Sequence, residues 1–252
     1  MGSPIRFSLL LLPATSVTVP YSSAQTAGDL NIVVVGWNDS VKQVSSLSDS
    51  MGNVYQLAVG PTVTGALTQS IYYAKNIAAA SAAANAVTVT FSGLTSYPDI
   101  RILEYRGINT VNPVDTFAGA IGNSATSSDV SLQTTAAADL LVAGNTVQSS
   151  SIAGSGFTLR LTTSPDGDIA EDKIATTAGT YSASATLSST SGWVMQAVAF
   201  RAGVASPAPT GSKKLTLAWN AQFDAIQAID GRRTQECDNV ASSSSEMQCA
   251  KK

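Results

Sequence analysis

Apolar and polar residues alternate with period two along much of the chain. Tyr55/Leu57/Val59, Val87/Val89/Phe91, Phe157/Leu159/Leu161 and Tyr181/Ala183/Ala185/Leu187 each fall on one side of a segment whose other side carries Thr, Ser, Gln, Ala or Arg. That pattern places one side of a strand in a core and the other toward solvent. Leu30 to Val35, Leu140 to Ala143 and Val194 to Phe200 are apolar on both sides, as in strands covered by a second layer. Clusters such as Asp49-Ser50-Met51-Gly52-Asn53 and Ser164-Pro165-Asp166-Gly167-Asp168 separate the runs and supply turns. Ala78 to Ala86 is Ala-rich but has no apolar stripe, so it reads as a loop rather than a helix. The expectation is an all-β chain of roughly twelve strands, a jelly-roll-like or immunoglobulin-like β-sandwich.

The chain also repeats itself. Thr26-Ala27-Gly28-Asp29-Leu30 is echoed by Ala136-Ala137-Ala138-Asp139-Leu140, and the strands they open end at Gly36 and Gly144. Tyr55-Gln56-Leu57 then matches Phe157-Thr158-Leu159, Ser70 to Lys75 matches Asp168 to Lys173, and Thr88 to Ser92 matches Ser184 to Ser188. Leu103 to Arg106 matches Val198 to Arg201. Because these matches keep the same order, they imply two similar halves, about residues 15–108 and 129–203, with Asp29/Asp139, Lys75/Lys173 and Arg106/Arg201 as landmarks. Gly107 to Ser131 reads as a linker or a crossover. Each half alone holds few large apolar residues, which favours one domain over 15–203 with the halves interleaved.

The flanks differ in character. Arg6 and the apolar Phe7 to Leu12 resemble part of a secretory signal, with Ser22-Ser23-Ala24 as a small-residue cleavage site. Cleavage there would remove Ser16-Val17-Thr18-Val19, which alternates like a first strand, so the favoured reading of 1–14 is a remnant joined to that strand. Residues 204–214 form a Pro/Ser linker. The segment 215–252 reads as a fibronectin-like fragment, from Leu215-Thr216-Leu217-Ala218-Trp219, or a tail. Cys237 and Cys249 lie within it, either paired in an oxidising compartment or free as thiols.

Composition narrows the function. Charged residues are 12% of the chain and the formal net charge is -3, so no basic footprint for nucleic acid is present. No apolar run reaches the ~18 residues that a membrane-spanning helix needs.

The strings Ala27-Gly28-Asp29-Leu30, Gly36-Trp37-Asn38, Ile71-Tyr72-Tyr73-Ala74-Lys75, Glu104-Tyr105-Arg106-Gly107, Asn112-Pro113-Val114-Asp115 and Asp166 to Lys173 resemble a poorly characterised bacterial domain family of secreted, modular and surface proteins. The resemblance spans residues 15–203. It implies an extracellular or cell-surface β-sandwich, often followed by fibronectin-like or immunoglobulin-like modules, and carries no established activity.

The chain has no histidine, which removes Ser-His-Asp and Cys-His hydrolysis and His-ligated zinc. Carboxylates alone can hydrolyse glycosides, and Glu104 and Glu171 are the candidates for that. Asp166, Asp168 and Asp172 offer hard oxygen ligands suited to calcium. Trp37, Asn38 and Asp39 end a buried strand where a sandwich presents its loops, and with Tyr72, Tyr73 and Tyr97 they form the candidate glycan-binding set. The alternative for these rings is core packing. The leading expectation is a non-catalytic module for adhesion, glycan binding or spacing, with a glycan or another surface protein as partner. A carboxylate hydrolase and a self-associating structural subunit are the alternatives.

Overall fold

The computed structural model describes residues 6–9, 13–124 and 127–203. The linker, the fibronectin-like segment and both cysteines lie outside the described residues. The first half holds β1 (Arg6–Leu9), β2 (Ala14–Pro20), β3 (Leu30–Asn38), β4 (Val44–Asp49), β5 (Tyr55–Val63), β6 (Thr68–Ala74) and β7 (Ala86–Tyr105). The second holds β8 (Val114–Ser124), β9 (Ser127–Thr134), β10 (Asp139–Val147), β11 (Ser151–Ala153), β12 (Thr158–Thr162), β13 (Ile169–Ala175), β14 (Gly179–Leu187) and β15 (Ser191–Phe200). All named pairs are antiparallel, and no helix occurs among the described residues.

The all-β sandwich expectation holds, but the halves do not interleave. Named strands of the first half pair only with one another, and so do those of the second. Within the first half, the beginning of β7 carries β2 and β4 on its flanks. Its end enters the order β1-β7-β3-β6-β5. The second half repeats this plan as β11-β14-β9 and β8-β15-β10-β13-β12. The single strand β7 therefore corresponds to β14 and β15 together. Each half is a small sandwich of a narrow and a wide sheet, and the two wide sheets lie back to back.

This arrangement explains the strands that are apolar on both sides. Along β3, Leu30, Ile32 and Val34 enter the layer shared with the second half, while Val33, Val35 and Trp37 enter the first sandwich's own core. Along β10, Leu140 and Val142 face the shared layer, and Leu141, Ala143 and Val147 face the second sandwich's core. Strand β15 divides likewise, with Val198 and Phe200 in the shared layer and Met195, Ala197 and Ala199 outside it. Burying each Leu, Val, Ile or Phe is worth about 1.5–3 kcal/mol. A half that is thin in large side chains gains what it lacks by sharing a layer with its copy.

The register corrects one landmark of the repeat. Leu30 pairs with Tyr105 as Leu140 pairs with Phe200, and Asn31 pairs with Ala74 as Leu141 pairs with Lys173. Lys173 thus corresponds to Ala74, not to Lys75. Since a one-residue slip moves every side chain to the other face, the pairing, not the letter match, decides that Ile71 and Ala170 are equivalent; both sit in the shared layer.

One segment read as a flank and one read as a linker or crossover are strands. Arg6 to Leu9 pairs with Asp99 to Ile102. Val114 to Ser124, inside the expected linker, pairs along β15. Ile108 and Ala202 form a bridge beside it.

Candidate functional site

The shared layer changes character along its length. Near Leu30, Tyr105, Leu140 and Phe200 it is apolar. At the other end of the same strands the inward positions are Gln69, Asp99, Arg101, Thr146, Asp168 and Gln196, all buried. Burying charge in such a layer is costly unless every group is paired.

Arg101 spans the halves. Its Nη1 donates to the carbonyls of Asn145 (2.6 Å) and Ile169 (2.8 Å), and its Nη2 to Gln69 Oε1 and Thr146 Oγ1, both at 3.3 Å. Its Nε lies 2.8 Å from Asp99 Oδ1. Thr146 Oγ1 donates to Gln69 Oε1 at 2.8 Å, Gln69 Nε2 donates to the Gly144 carbonyl at 2.8 Å, and Gln196 Nε2 donates to the Gln69 carbonyl at 2.9 Å. Six of these contacts join one half to the other, while those of Arg101 with Gln69 and Asp99 lie within the first half. Gly36 is required here, because a Cβ would collide with Thr146 Oγ1, Asp99 Oδ2 and Arg101 Nη2.

Three carboxylates converge at this end: Asp99, Asp166 and Asp168 have oxygens within 4.8 Å of one another. Asp99 and Arg101 sit two residues apart on β7 and so share a face. Asp168 Oδ1 accepts the Val147 amide at 2.8 Å, and Thr163 Oγ1 donates to Asp166 Oδ1. Burial pushes the Asp99 carboxyl up to about 6 although Arg101 opposes it. Burial and the neighbouring Asp99 raise Asp168 well above the usual carboxylate range, again against Arg101.

A cleft of about 480 Å³ opens over this cluster, lined by Asn38 and Tyr97 from the first half and by Val147, Gln148, Ser149, Ser150, Pro165 and Asp166 from the second. Asp166 belongs to both cleft and cluster. Tyr97 is 45% exposed and has φ of 47°, a left-handed conformation that a bulky residue seldom adopts. It stands at the corner where β7 passes from the narrow to the wide sheet, and the surrounding pairs of β7 hold it there. The second half breaks at the same point into β14 and β15.

The structure redistributes the residues singled out by sequence. Asp172 does not join the other two aspartates; its Oδ2 accepts from Tyr105 Oη and Arg160 Nε, both at 2.7 Å, toward the apolar end of the layer. Its place is taken by Asp99. Trp37 is core, edge-on to Phe91 at 5.4 Å with its Nε1 donating to the Lys42 carbonyl. Asp39 caps the following turn by accepting the Val41 and Lys42 amides, which lower its carboxyl pKa. Tyr72 packs on the first sandwich's core and Tyr73 on the shared layer, so they leave β6 on opposite faces. Of the expected glycan-binding set, Asn38 and Tyr97 line the cleft.

Glu104 and Glu171 do not form a catalytic pair. Leu103 and Tyr105 face the shared layer, as does Ala170, so alternation turns Glu104 toward the first sandwich's core and Glu171 toward the second's. Glu104 accepts the Thr26 amide and Glu171 the Gly154 amide. Burial raises Glu171 to about 7. Two wide sheets and their shared layer separate the carboxylates.

Sequence reasoning missed Asp99, Arg101 and their amide partners. A signal existed: in Pro98-Asp99-Ile100-Arg101-Ile102-Leu103 opposite charges alternate with apolar residues, which in a doubly covered strand buries them side by side. No family model matches the chain, and no curated protein and no solved structure matches it either.

Proposed function

We propose that this chain is a non-catalytic binding module of a secreted or surface-bound bacterial protein, and that it contacts a glycan through the cleft between its halves. The observation that carries this reading is the composition of the cleft. A half-exposed ring, Tyr97, stands among the side-chain and backbone polar groups of Asn38, Gln148, Ser149, Ser150 and Asp166. Sugars are held by an aromatic face with a few fixed hydrogen-bonding groups around it. Strain maintained at an exposed ring supports the same reading, because such strain concentrates at ligand sites. A glycan array followed by product analysis tests it: retention without release of new reducing ends is the expected result. Turnover of a retained glycan would favour the hydrolase, and absence of retention would remove the glycan.

Tyr97→Gly separates function from fold. Glycine adopts positive φ without steric cost, which offsets its own entropic cost, so stability will change by less than about 1 kcal/mol, while retention on the array falls at least about tenfold through loss of the ring. Denaturation and array measurements on the same variant check both. Equal loss of stability and retention would assign Tyr97 to packing.

A second reading has its own observation. Strand β8 pairs with β15 on one side and, among the described residues, with nothing on the other. The face it shares with Val198 and turns toward the first half carries Phe117 at 56% and Ile121 at 52% exposure. It bears no charge from Thr116 to Ser124, so it lacks the usual protection of a sheet edge. Self-association would then raise the sedimentation mass with concentration, and Ile121→Lys would reverse it; a constant mass rejects the structural-subunit reading.

A further inference from the structure

We propose that Asp99, Asp166 and Asp168 bind a divalent cation of the calcium type at the base of the cleft. Their carboxylate oxygens already lie within 4.8 Å of one another, one supplied by β7 and two by the turn before β13. Asp99 gives an independent reason to expect a ligand. It is fully buried, and neither of its oxygens accepts a hydrogen bond. Arg101 Nε comes within 2.8 Å of Asp99 Oδ1, yet this N–H is not directed along a hydrogen bond. The guanidinium therefore lends charge without occupying an oxygen lone pair, its other nitrogens being engaged by Asn145, Ile169, Gln69 and Thr146.

The charge balance agrees. Once all three carboxylates are ionised, one guanidinium leaves two negative charges, the number that a divalent cation offsets. The donor set is oxygen alone, which suits a hard ion rather than zinc or copper. Calcium is favoured over magnesium because convergent carboxylates on a turn and a strand give an irregular shell, whereas magnesium demands a near-ideal octahedron and keeps its waters. Asp166 is partly exposed in the cleft, which provides the entry route and room for water ligands. The cation site stands apart from the glycan reading: calcium binding without retained glycan would leave it intact.

Isothermal titration of the chelator-stripped full chain with calcium chloride, and separately with magnesium chloride, tests the proposal. The expected result is a single calcium site with Kd between roughly 1 µM and 1 mM and magnesium at least about tenfold weaker. Asp166→Asn is expected to weaken calcium at least about tenfold with an unchanged circular dichroism spectrum, since Asp166 is only half-buried. Asp99→Asn serves as the second variant. Absence of heat at about 10 mM calcium, or calcium binding unaltered by Asp166→Asn, would overturn the assignment.

Discussion

Arg101→Met will destabilise the chain by about 3–5 kcal/mol, because removing one member of a buried ion pair strands the other without compensation. The side chain of methionine fills similar space but cannot reach the carbonyls of Asn145 and Ile169, which lose their Arg101 donors. Asp99 and Asp168 would face each other in a closed layer with no positive charge beside them. For a domain of this size the loss corresponds to a fall in Tm of about 10 °C. Denaturation in chelator is the appropriate measurement, so that no cation substitutes for the guanidinium. Adding Asp99→Asn should recover part of the loss, since residues in contact are not additive. A change below about 1 kcal/mol would mean that the polar end of the shared layer is not closed to water.

Stability will also fall as pH rises from about 5 to about 8. Burial and the adjacent Glu104 push Asp29 up to about 7, with Arg106 opposing. Burial and Asp115 push Asp139 up to about 7, with Arg201 opposing. Glu171, raised to about 7 by burial with a smaller contribution from Asp172, is the third. In each case the folded chain holds a proton that the unfolded chain releases near pH 4. The stabilisation is therefore complete below the unfolded pKa and is lost as pH passes through the folded value. Each group contributes at most about 1.4 kcal/mol per pH unit over that window, less where water reaches it. Asp39 and Asp115 are lowered and act with the opposite sign, losing their contribution only as pH falls through the acid range. The optimum should thus lie near pH 4–5. Urea melts at several pH values check the slope, and Asp139→Asn should flatten it and raise stability at about pH 8, because an amide needs no proton. Stability that rises from pH 5 to pH 8 would contradict this.

The strands buried on both sides were the most legible part of the fold. Leu30 to Val35 and Val194 to Phe200 are apolar at every parity, and only coverage on both faces produces that. Strand β8 was not legible, because Gly119, Gly122, Asn123 and Ser124 look like linker. Its pairing comes from β15, far along the chain, not from its own residues. Trp37 shows the limit of reading a residue by its type. Placed at a strand end it suggests a platform, yet it shares the parity of Val33 and Val35 and goes to the core with them. The acidic turn Asp166-Gly167-Asp168 is plain in the sequence, but local spacing groups it with Asp172. Alternation does put Asp168 and Asp172 on one face, but β13 carries Asp172 toward the opposite end of the layer, to Tyr105. Asp99 arrives from the other half, a partnership that no local pattern encodes.

The two halves meet in a cleft above a buried polar latch, and glycan binding in that cleft is the proposal. Amide chemical-shift mapping, with the glycan retained most strongly on an array as titrant, tests this most directly. The predicted result is perturbation confined to Asn38, Tyr97, Gln148 to Ser150 and Asp166. Perturbations gathered at the other end of the shared layer, around Tyr73 and Arg160, or spread along β8, would contradict it.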